Sequence, residues 1–433
     1  MTGGVDRRSL LRRGALLGAG AAAGAAAGVT ADRLISMAAA SDIEPFWGAH
    51  QSGIVTATQR HAVLAAFDLY TDDRADIVEV LKRWTTLAAA LTAGESAQVP
   101  VYQGKGVPTD AFAGATHQPT ASDSLDAWQL GAQRLTVTVG FGPGLFTKNG
   151  KDRYGLAARR PAQLVDLPQF PGDQIDESAS HGDLFVQVCA DDPQVAFHAV
   201  RSLARIAPEV TTLRWTQIGF SPSDTGGTPR NLMGFKDGTV NSNGHPPADL
   251  DASVWAGDEG PQWMRGGSYL VFRRIRISLE RWDRLDTAVQ SRMVGRDKVS
   301  GAPLGGHHEF DAKNFDAKDA QGNPVIPMDS HVRLSAPENN GGAMMLRRAF
   351  SYNNGTTPFT ERWPPWRQTL AYDAGLLFLA YQKDPRAAFV PVNQRLATSD
   401  AMSQFTTHTA SGIYAVAPGA RGPGDWIGST LFA

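Results

Sequence analysis

Apolar and polar positions along this chain fall into two arrays laid out alike. The first opens with an apolar run near His61–Leu69, continues with a helix-like stretch over Ile77–Leu91, and reaches a strand over Leu135–Phe141. The second opens with a strand over Ser268–Ile277, continues with a helix-like stretch over Leu279–Val294, and reaches a strand over Ala343–Phe350. Short apolar runs suit buried strands; longer stretches with apolar residues three and four apart suit helices that bury one face.

A second strand–helix unit follows in each array. Asp183-Leu-Phe-Val-Gln-Val-Cys-Ala-Asp-Asp-Pro-Gln-Val-Ala-Phe197 aligns without gaps to Gly375-Leu-Leu-Phe-Leu-Ala-Tyr-Gln-Lys-Asp-Pro-Arg-Ala-Ala-Phe389, 192 residues later. Leu184/Leu376, Asp192/Asp384, Pro193/Pro385, Ala196/Ala388 and Phe197/Phe389 are identical. Each reads as an apolar strand and then an Asp-Pro helix start. The Asp supplies a cap oxygen, and Pro fits the first helical position because its missing N–H has no partner there. Five identities in fifteen do not exclude chance, but the matching placement favours a repeat. Strand–helix–strand twice in each half predicts an α+β fold of two ferredoxin-like domains, with antiparallel sheets and flanking helices. The expected bounds are 41–230 and 231–433, with loop-like stretches at Ser221–Asn243, Gln103–Asp123 and Val299–Asp329.

Residues 1–40 read as an address. Asp6-Arg7-Arg8-Ser9-Leu10-Leu11 resembles the twin-arginine export motif. Gly14–Ala31 follows without a charge, but it is mostly Ala and Gly and too weakly apolar for an anchor. Ala38-Ala39-Ala40 supplies a small-residue cleavage pattern before Ser41. An ordinary Arg-rich secretory signal is the plainer reading. The twin-arginine route moves folded proteins, often with a cofactor already inserted, so a periplasmic or extracellular cofactor protein is expected, in contact with the twin-arginine machinery.

Composition narrows the classes. Hydrophobic residues at 42% and charged residues at 19% rule out a mostly disordered chain. Gly and Pro, 45 and 26 residues without a collagen period, predict many turns. Cys189, the one cysteine, excludes a disulfide scaffold, an iron–sulfur cluster and a Cys-rich zinc site. A net charge of −2 argues against a nucleic-acid partner.

Nucleotide motifs are weak. Gly140-Phe-Gly142-Pro-Gly144 lacks the dinucleotide spacing and reads as a turn, and there is no Walker A string or nucleophile elbow. His307-His308 lacks the companions of a metal site and reads as loop. More informative is Asn231-Leu-Met-Gly234-Phe-Lys-Asp237-Gly238-Thr239, a carboxylate in a Gly-bounded loop, although Asp-Gly alone is a turn signal. Asp329-Ser-His331-Val-Arg333-Leu carries a lone histidine, more often structural than ligating. In Met344-Met-Leu-Arg347-Arg348-Ala-Phe, strand alternation sends the two arginines to opposite faces, so one at most looks into a given pocket. A guanidinium buried on such a strand is expected to have an anionic partner.

Taken together, Gly234-Phe-Lys-Asp237-Gly238, His331-Val-Arg-Leu and Leu346-Arg347-Arg348 resemble the dye-decolorizing peroxidase family. Pro45-Phe46-Trp47-Gly48-Ala49-His50-Gln51-Ser52-Gly53-Ile54, Gly301-Ala-Pro-Leu-Gly305 and Asp373-Ala-Gly375-Leu-Leu-Phe378 match too, in the expected order. Nearly the whole chain beyond the leader is covered, and the exported branch with the iron-deferrochelatase proteins agrees with the address. The resemblance implies one haem b per chain, held mainly by the C-terminal half. By position His331 matches the iron ligand, Asp237 and Arg347 the distal catalytic pair, and Asp373 the carboxylate on the ligand histidine. Gly238, Thr239, Ala336 and Pro337 match haem-contacting positions. Two positions depart from relatives: Glu338 stands where a basic residue is frequent, and Ala349 where one branch has a distal Asn.

The implied activity is peroxide reduction through a ferryl intermediate, with oxidation of dye-like or phenolic donors. Asp237 would move a proton between the peroxide oxygens, and Arg347 would stabilise charge on the departing one. A carboxylate base works at lower pH than a histidine base, so an acidic optimum is expected. Trp363, Trp366 and Tyr381 are among the aromatic residues able to relay electrons. The second function class is an exported haem-handling protein, for haem delivery or iron release, with incidental peroxidase activity. The donor and the oligomeric state, including a homo-oligomer, stay open.

Overall fold

The first strand, β1 (His61–Leu69), runs antiparallel between β3 (Leu184–Ala190) and β4 (Thr211–Phe220), and β3 pairs in turn with β2 (Thr136–Phe141). Helix α1 (Arg74–Thr92) follows β1 and α2 (Pro193–Ile206) follows β3. The second half repeats this plan. There β5 (Ser268–Ile277) lies between β8 (Gln368–Gln382) and β9 (Thr406–Val416), and β8 also pairs with β6 (Leu346–Arg347) and β7 (Phe350–Thr360). Counted within its own half, each sheet has the order fourth–first–third–second, the ferredoxin-like arrangement. This computed structural model describes residues 42–96, 99–102, 123–222, 227–241, 247–360 and 368–433. Residues 1–41, with Arg7 and Arg8, most of the 103–123 insertion, and Trp363 and Trp366 lie outside them.

The halves meet edge to edge. Phe141 on β2 pairs with Ala415 on β9, and Phe220 on β4 with Ser351 on β7. With β5 also paired to β8, the nine strands return on themselves as a barrel-like sheet. Its inside is filled by Phe185, Trp215, Phe272, Tyr381 and Tyr414, among others. Outside, Trp84 of α1 and Leu203 of α2 cover Val137, Val139, Val186 and Val188. All seven residues of β3 are buried, as a strand covered on both faces must be. Among the described residues no helix is long and apolar enough to cross a membrane.

Local chemistry explains where the elements begin. Asp192 caps α2 by accepting from Gln194 N (2.8 Å) and Val195 N (3.0 Å), and Pro193 takes the first helical position. The second Asp-Pro does not act the same way. The Asp384 carboxylate is taken by the backbone N–H and guanidinium of Arg386, at 2.9 and 2.7 Å, so the chain makes a turn. Helix α5 starts only at Phe389 and runs to Ser399, and the Phe389 N–H donates to the Gln382 side chain (2.9 Å).

Two further expectations are corrected. The stretch 279–294 is two helical pieces, Leu279–Trp282 and α3 (Thr287–Val294). Between them the buried Trp282 is tied by its indole N–H to Met233 O (3.1 Å) and by its carbonyl to Gln290 (2.9 Å). The strand expected over 343–350 is interrupted after Arg347, where the Arg348 side chain turns away to Thr56 O and Gln59.

Candidate active site

The loop 231–239 is folded around one side chain. Asn231 Oδ1 accepts from Met233 N (3.0 Å) and Phe235 N (3.3 Å), while its backbone exchanges bonds with Phe235 O (3.0 Å) and Gly234 N (2.9 Å). Gly234 and Gly238 adopt φ of +87° and +112°, which a side chain would strain. Arg230 cross-links the loop to its neighbour, donating to Gly234 O (2.7 Å), Lys298 O (2.6 Å) and Val299 O (2.7 Å).

Glu309 fastens the other end. It accepts from Lys236 and, at 2.9 Å, from Thr239 Oγ1. Burial opposes its charge, but hydrogen bonds from Lys236, Thr228 and Thr239 outweigh this and hold its pKa below the usual glutamate value. Arg296 bonds both Gly301 O (2.6 Å) and Glu309 O (2.9 Å), so the Gly301–Gly305 stretch supports the loop rather than the chemistry.

Asp237 leaves this loop with both oxygens engaged. Oδ1 accepts from Arg347 Nη1 on β6 (3.2 Å), and Oδ2 accepts from Asn231 Nδ2 (3.3 Å). The side chains of Arg347 and Asp237 are 30% and 18% exposed, partly desolvated yet reachable. Residues 110 apart in sequence thus form the pair anticipated for the distal side. Arg348 faces the other way, also as anticipated, but its burial without a carboxylate was not. At 4% exposure it donates to two neutral oxygens, Thr56 O and Gln59 Oε1. It lies against Cys189, whose thiol pKa is pushed up by burial, partly offset by this guanidinium.

His331 opens helix α4 (His331–Ser335), which Arg333 anchors through Ile326 O (2.7 Å) and Phe315 O (2.6 Å). Asn340 Nδ2 closes the far end on Leu334 O (2.7 Å) and Ala336 O (2.8 Å), so Ala336 and Pro337 leave the helix in a fixed turn. His331 Nδ1 lies 2.6 Å from Oδ2 of Asp400, a carboxylate only 5% exposed, while the imidazole is 33% exposed. Burial disfavours the charged ring, but Asp400 outweighs it by charge and hydrogen bond, and the His331 pKa is raised. Arg347 and Asp237 also act on that ring, the first lowering and the second raising its pKa, so both lie within electrostatic reach of it. With Nδ1 engaged, Nε2 is the nitrogen left for a ligand.

Asp373 is not the partner of His331. It sits on β8, where Oδ1 accepts from the buried Tyr352 hydroxyl (3.3 Å) and Oδ2 from Asn354 (3.2 Å). Asp400 fills the role because it follows α5, which packs against α4; its other oxygen accepts from Met402 N (2.8 Å). The signal was a bare one, an Asp at the start of a short helical turn. Asn231 stood inside the quoted motif without a role, and Glu309 carried no signal. Glu338, at the position that departs from relatives, pairs with Lys313 (3.2 Å). His307 and His308 are loop residues whose N–H groups donate to Asp311. Among the described residues no group of three His, Cys, Asp or Glu could hold a metal ion.

Comparisons with known proteins identify the family of the chain. Residues 51–221 match the family profile described as Dyp-type peroxidase, N-terminal, and residues 228–421 the one described as Dyp-type peroxidase, C-terminal. The chain is 35% identical over 406 residues to a deferrochelatase of Escherichia coli strain K12, covering 92% of this chain and 89% of that one. It is 35% identical over 438 residues to a deferrochelatase of Shigella sonnei, covering 98% and 96%. Among solved structures, ferric DtpA from Streptomyces lividans is 38% identical with a TM-score of 0.76, covering 91% of this chain and 98% of that one. A DyP-type peroxidase from Cellulomonas bogoriensis is 36% identical with a TM-score of 0.75, covering 90% and 98%. With both family profiles matched in order and relatives alike over nearly their full length, the chain belongs to the Dyp-type peroxidase family.

Proposed function

We propose that the protein is an exported haem b peroxidase that reduces hydrogen peroxide and oxidises dye-like or phenolic donors. The observation that carries this is the Asp237–Arg347 pair within electrostatic reach of His331, whose Nδ1 is held by Asp400. The residues fit the cofactor. One imidazole nitrogen is engaged and the other is available, and the ring is a third exposed. His331 would hold the iron, and Gly238, Thr239, Ala336 and Pro337 would border the porphyrin. The Thr239 hydroxyl is given to Glu309, so that residue offers backbone rather than hydroxyl.

Bound haem supplies the iron at which peroxide is cleaved and the oxidising equivalents that donors then quench. The chain supplies the proton handling. Asp237 accepts a proton from one peroxide oxygen and returns it to the other, which leaves as water. Arg347 places a permanent charge beside that oxygen. Asp400 keeps His331 oriented, in one tautomer and electron-rich.

The name deferrochelatase among the relatives favours a second reading, haem handling with release of iron. Haem binding alone requires neither Asp237 nor Arg347, so the peroxidase reading leads. An absorbance spectrum of haem-replete protein, then peroxide with a phenolic donor, separates them. Turnover with the haem intact supports the peroxidase; free porphyrin and iron without turnover supports the alternative. No Soret band would remove both.

The corrected assignment makes a contrast. Replacing the carboxylate behind a ligating histidine typically costs about 10–100-fold in activity or metal affinity. Asp400→Asn is expected to show such a loss, whereas Asp373→Asn, which disturbs only Tyr352 and Asn354, stays within a few-fold. Haem titration and peroxide turnover of both variants check this, and the reverse order would restore Asp373 as the histidine's partner.

Export rests on Arg7-Arg8 before a weakly apolar Ala/Gly segment. Changing both to Lys is expected to leave uncleaved, haem-loaded protein in the cytoplasm. Cell fractionation reads this out, and undiminished export in cells lacking the twin-arginine machinery would refute it.

A further inference from the structure

We propose that Asn231 is a positioning residue for the proton transfer, its amide donating to Oδ2 of Asp237 and making that oxygen the one that takes the peroxide proton. The inference rests on the reading that Asp237 is the proton carrier. It starts from an asymmetry in the carboxylate's partners. Oδ1 faces the guanidinium of Arg347, and Oδ2 faces a neutral amide. A proton placed on Oδ1 would sit against a cation's N–H. On Oδ2 it meets only the neutral donor, and the second lone pair of that oxygen stays open.

The same side chain holds the loop. Asn231 Oδ1 collects Met233 N and Phe235 N while Nδ2 reaches Asp237, so the amide plane fixes the carboxylate relative to the backbone that carries it. The other charged groups nearby are committed elsewhere. Lys236 is on Glu309, and Arg230 is on three backbone carbonyls. His331 is paired with Asp400. Among these groups Arg347 and Asn231 are the two whose donors reach the Asp237 carboxylate.

Asn231→Asp separates the two roles of the side chain. Its Oδ1 still accepts from Met233 and Phe235, so the loop keeps its fold, and only the donor to Asp237 is lost. When both carboxyls are ionised they repel, and Asp237 loses its orientation. When they share one proton, the protonated partner again donates to Asp237. The reaction with peroxide is therefore expected to fall at least about tenfold at the alkaline end of the range and to recover as pH is lowered to the shared-proton form. The fall is read against wild-type at the same pH, so the acidic optimum expected of the enzyme does not by itself produce it.

The haem-loaded protein also gives a readout independent of turnover. Infrared titration of Asn231→Asp is expected to show a protonated carboxyl band persisting to higher pH than in wild-type. The band should retreat when Asp237→Asn is added. A loss in Asn231→Asp that is the same at every pH, with no such band, would overturn the positioning role and leave Asn231 a loop scaffold. A normal rate in Asp237→Asn alone would instead overturn the proton-carrier reading beneath it. If Asn231→Asp binds no haem, the infrared titration is made on the haem-free chain, where absence of the shared-proton band has the same meaning.

Discussion

Replacing His331 with alanine is expected to abolish the normal ferric haem spectrum and, with it, peroxide turnover. The expectation follows from the geometry of the ring. A useful axial ligand needs a neutral imidazole, one nitrogen held so that the other points at the metal, and an open side. His331 has its Nδ1 on Asp400 at 2.6 Å and a third of its surface exposed. Other histidines fail on one count or another. His408 is half-buried and its Nδ1 accepts from Arg273 Nε, so its other ring nitrogen carries the proton and is not free to ligate. His198 is wedged between Asp123 and Asp126, and His50 is stacked on Trp255 with Nδ1 on Gly266 O. Because Asp400 stays behind in the variant, added imidazole should restore part of the spectrum. The check is an absorbance titration with haem, with and without imidazole; a variant with wild-type spectrum and activity would send the ligand assignment elsewhere.

Much of the frame could be read along the chain, and the reasons differ by element. β1 coincides with its expected bounds as a nearly continuous apolar run; β5 does so because its apolar first half, Tyr269–Phe272, sets it between β8 and β9, and that pairing carries the arginine-bearing second half. The first Asp-Pro started a helix because nothing competed for Asp192; the second did not, because Arg386, two residues on, captured Asp384. Local pattern cannot report such competition. The site divides the same way. Asp237, Arg347 and His331 stood in recognisable strings, and the fold brings the first two into an ion pair within electrostatic reach of the third. The carboxylate behind the histidine was misassigned because the contact is 69 residues long and is made by packing α4 against α5, which no motif near Asp400 announces. Tyr381, one of the aromatic residues considered for electron relay, is buried with its hydroxyl on the amide oxygen of Gln187 (3.0 Å), a group unable to take a phenolic proton.

The remaining prediction concerns the distal pair. A fixed, partly buried charge aimed at developing negative charge is commonly worth about 3–4 kcal/mol, or two to three decades in rate. A positioned proton carrier contributes about two to four decades. Their losses should not add, because the two side chains touch at 3.2 Å and each sets the other's orientation. Arg347→Leu is expected to slow the reaction with peroxide by at least about a hundredfold while haem stays bound, since the ligand lies on α4 and not on β6. Asp237→Asn should slow it as well and flatten its dependence on acidic pH. Water can partly replace a carboxylate as proton carrier, and Asn231 would remain to orient the new amide. Nothing comparable replaces the cation. Arg348, its neighbour in sequence, is committed on the other face of the strand to Thr56 and Gln59 and cannot swing across without stripping a buried guanidinium of its partners. Arg347→Leu should therefore be the more damaging of the two. Stopped-flow mixing of each haem-loaded variant with peroxide, read at the Soret band, decides the order; wild-type speed in Arg347→Leu would mean that charge stabilisation at the departing oxygen comes from somewhere other than this arginine.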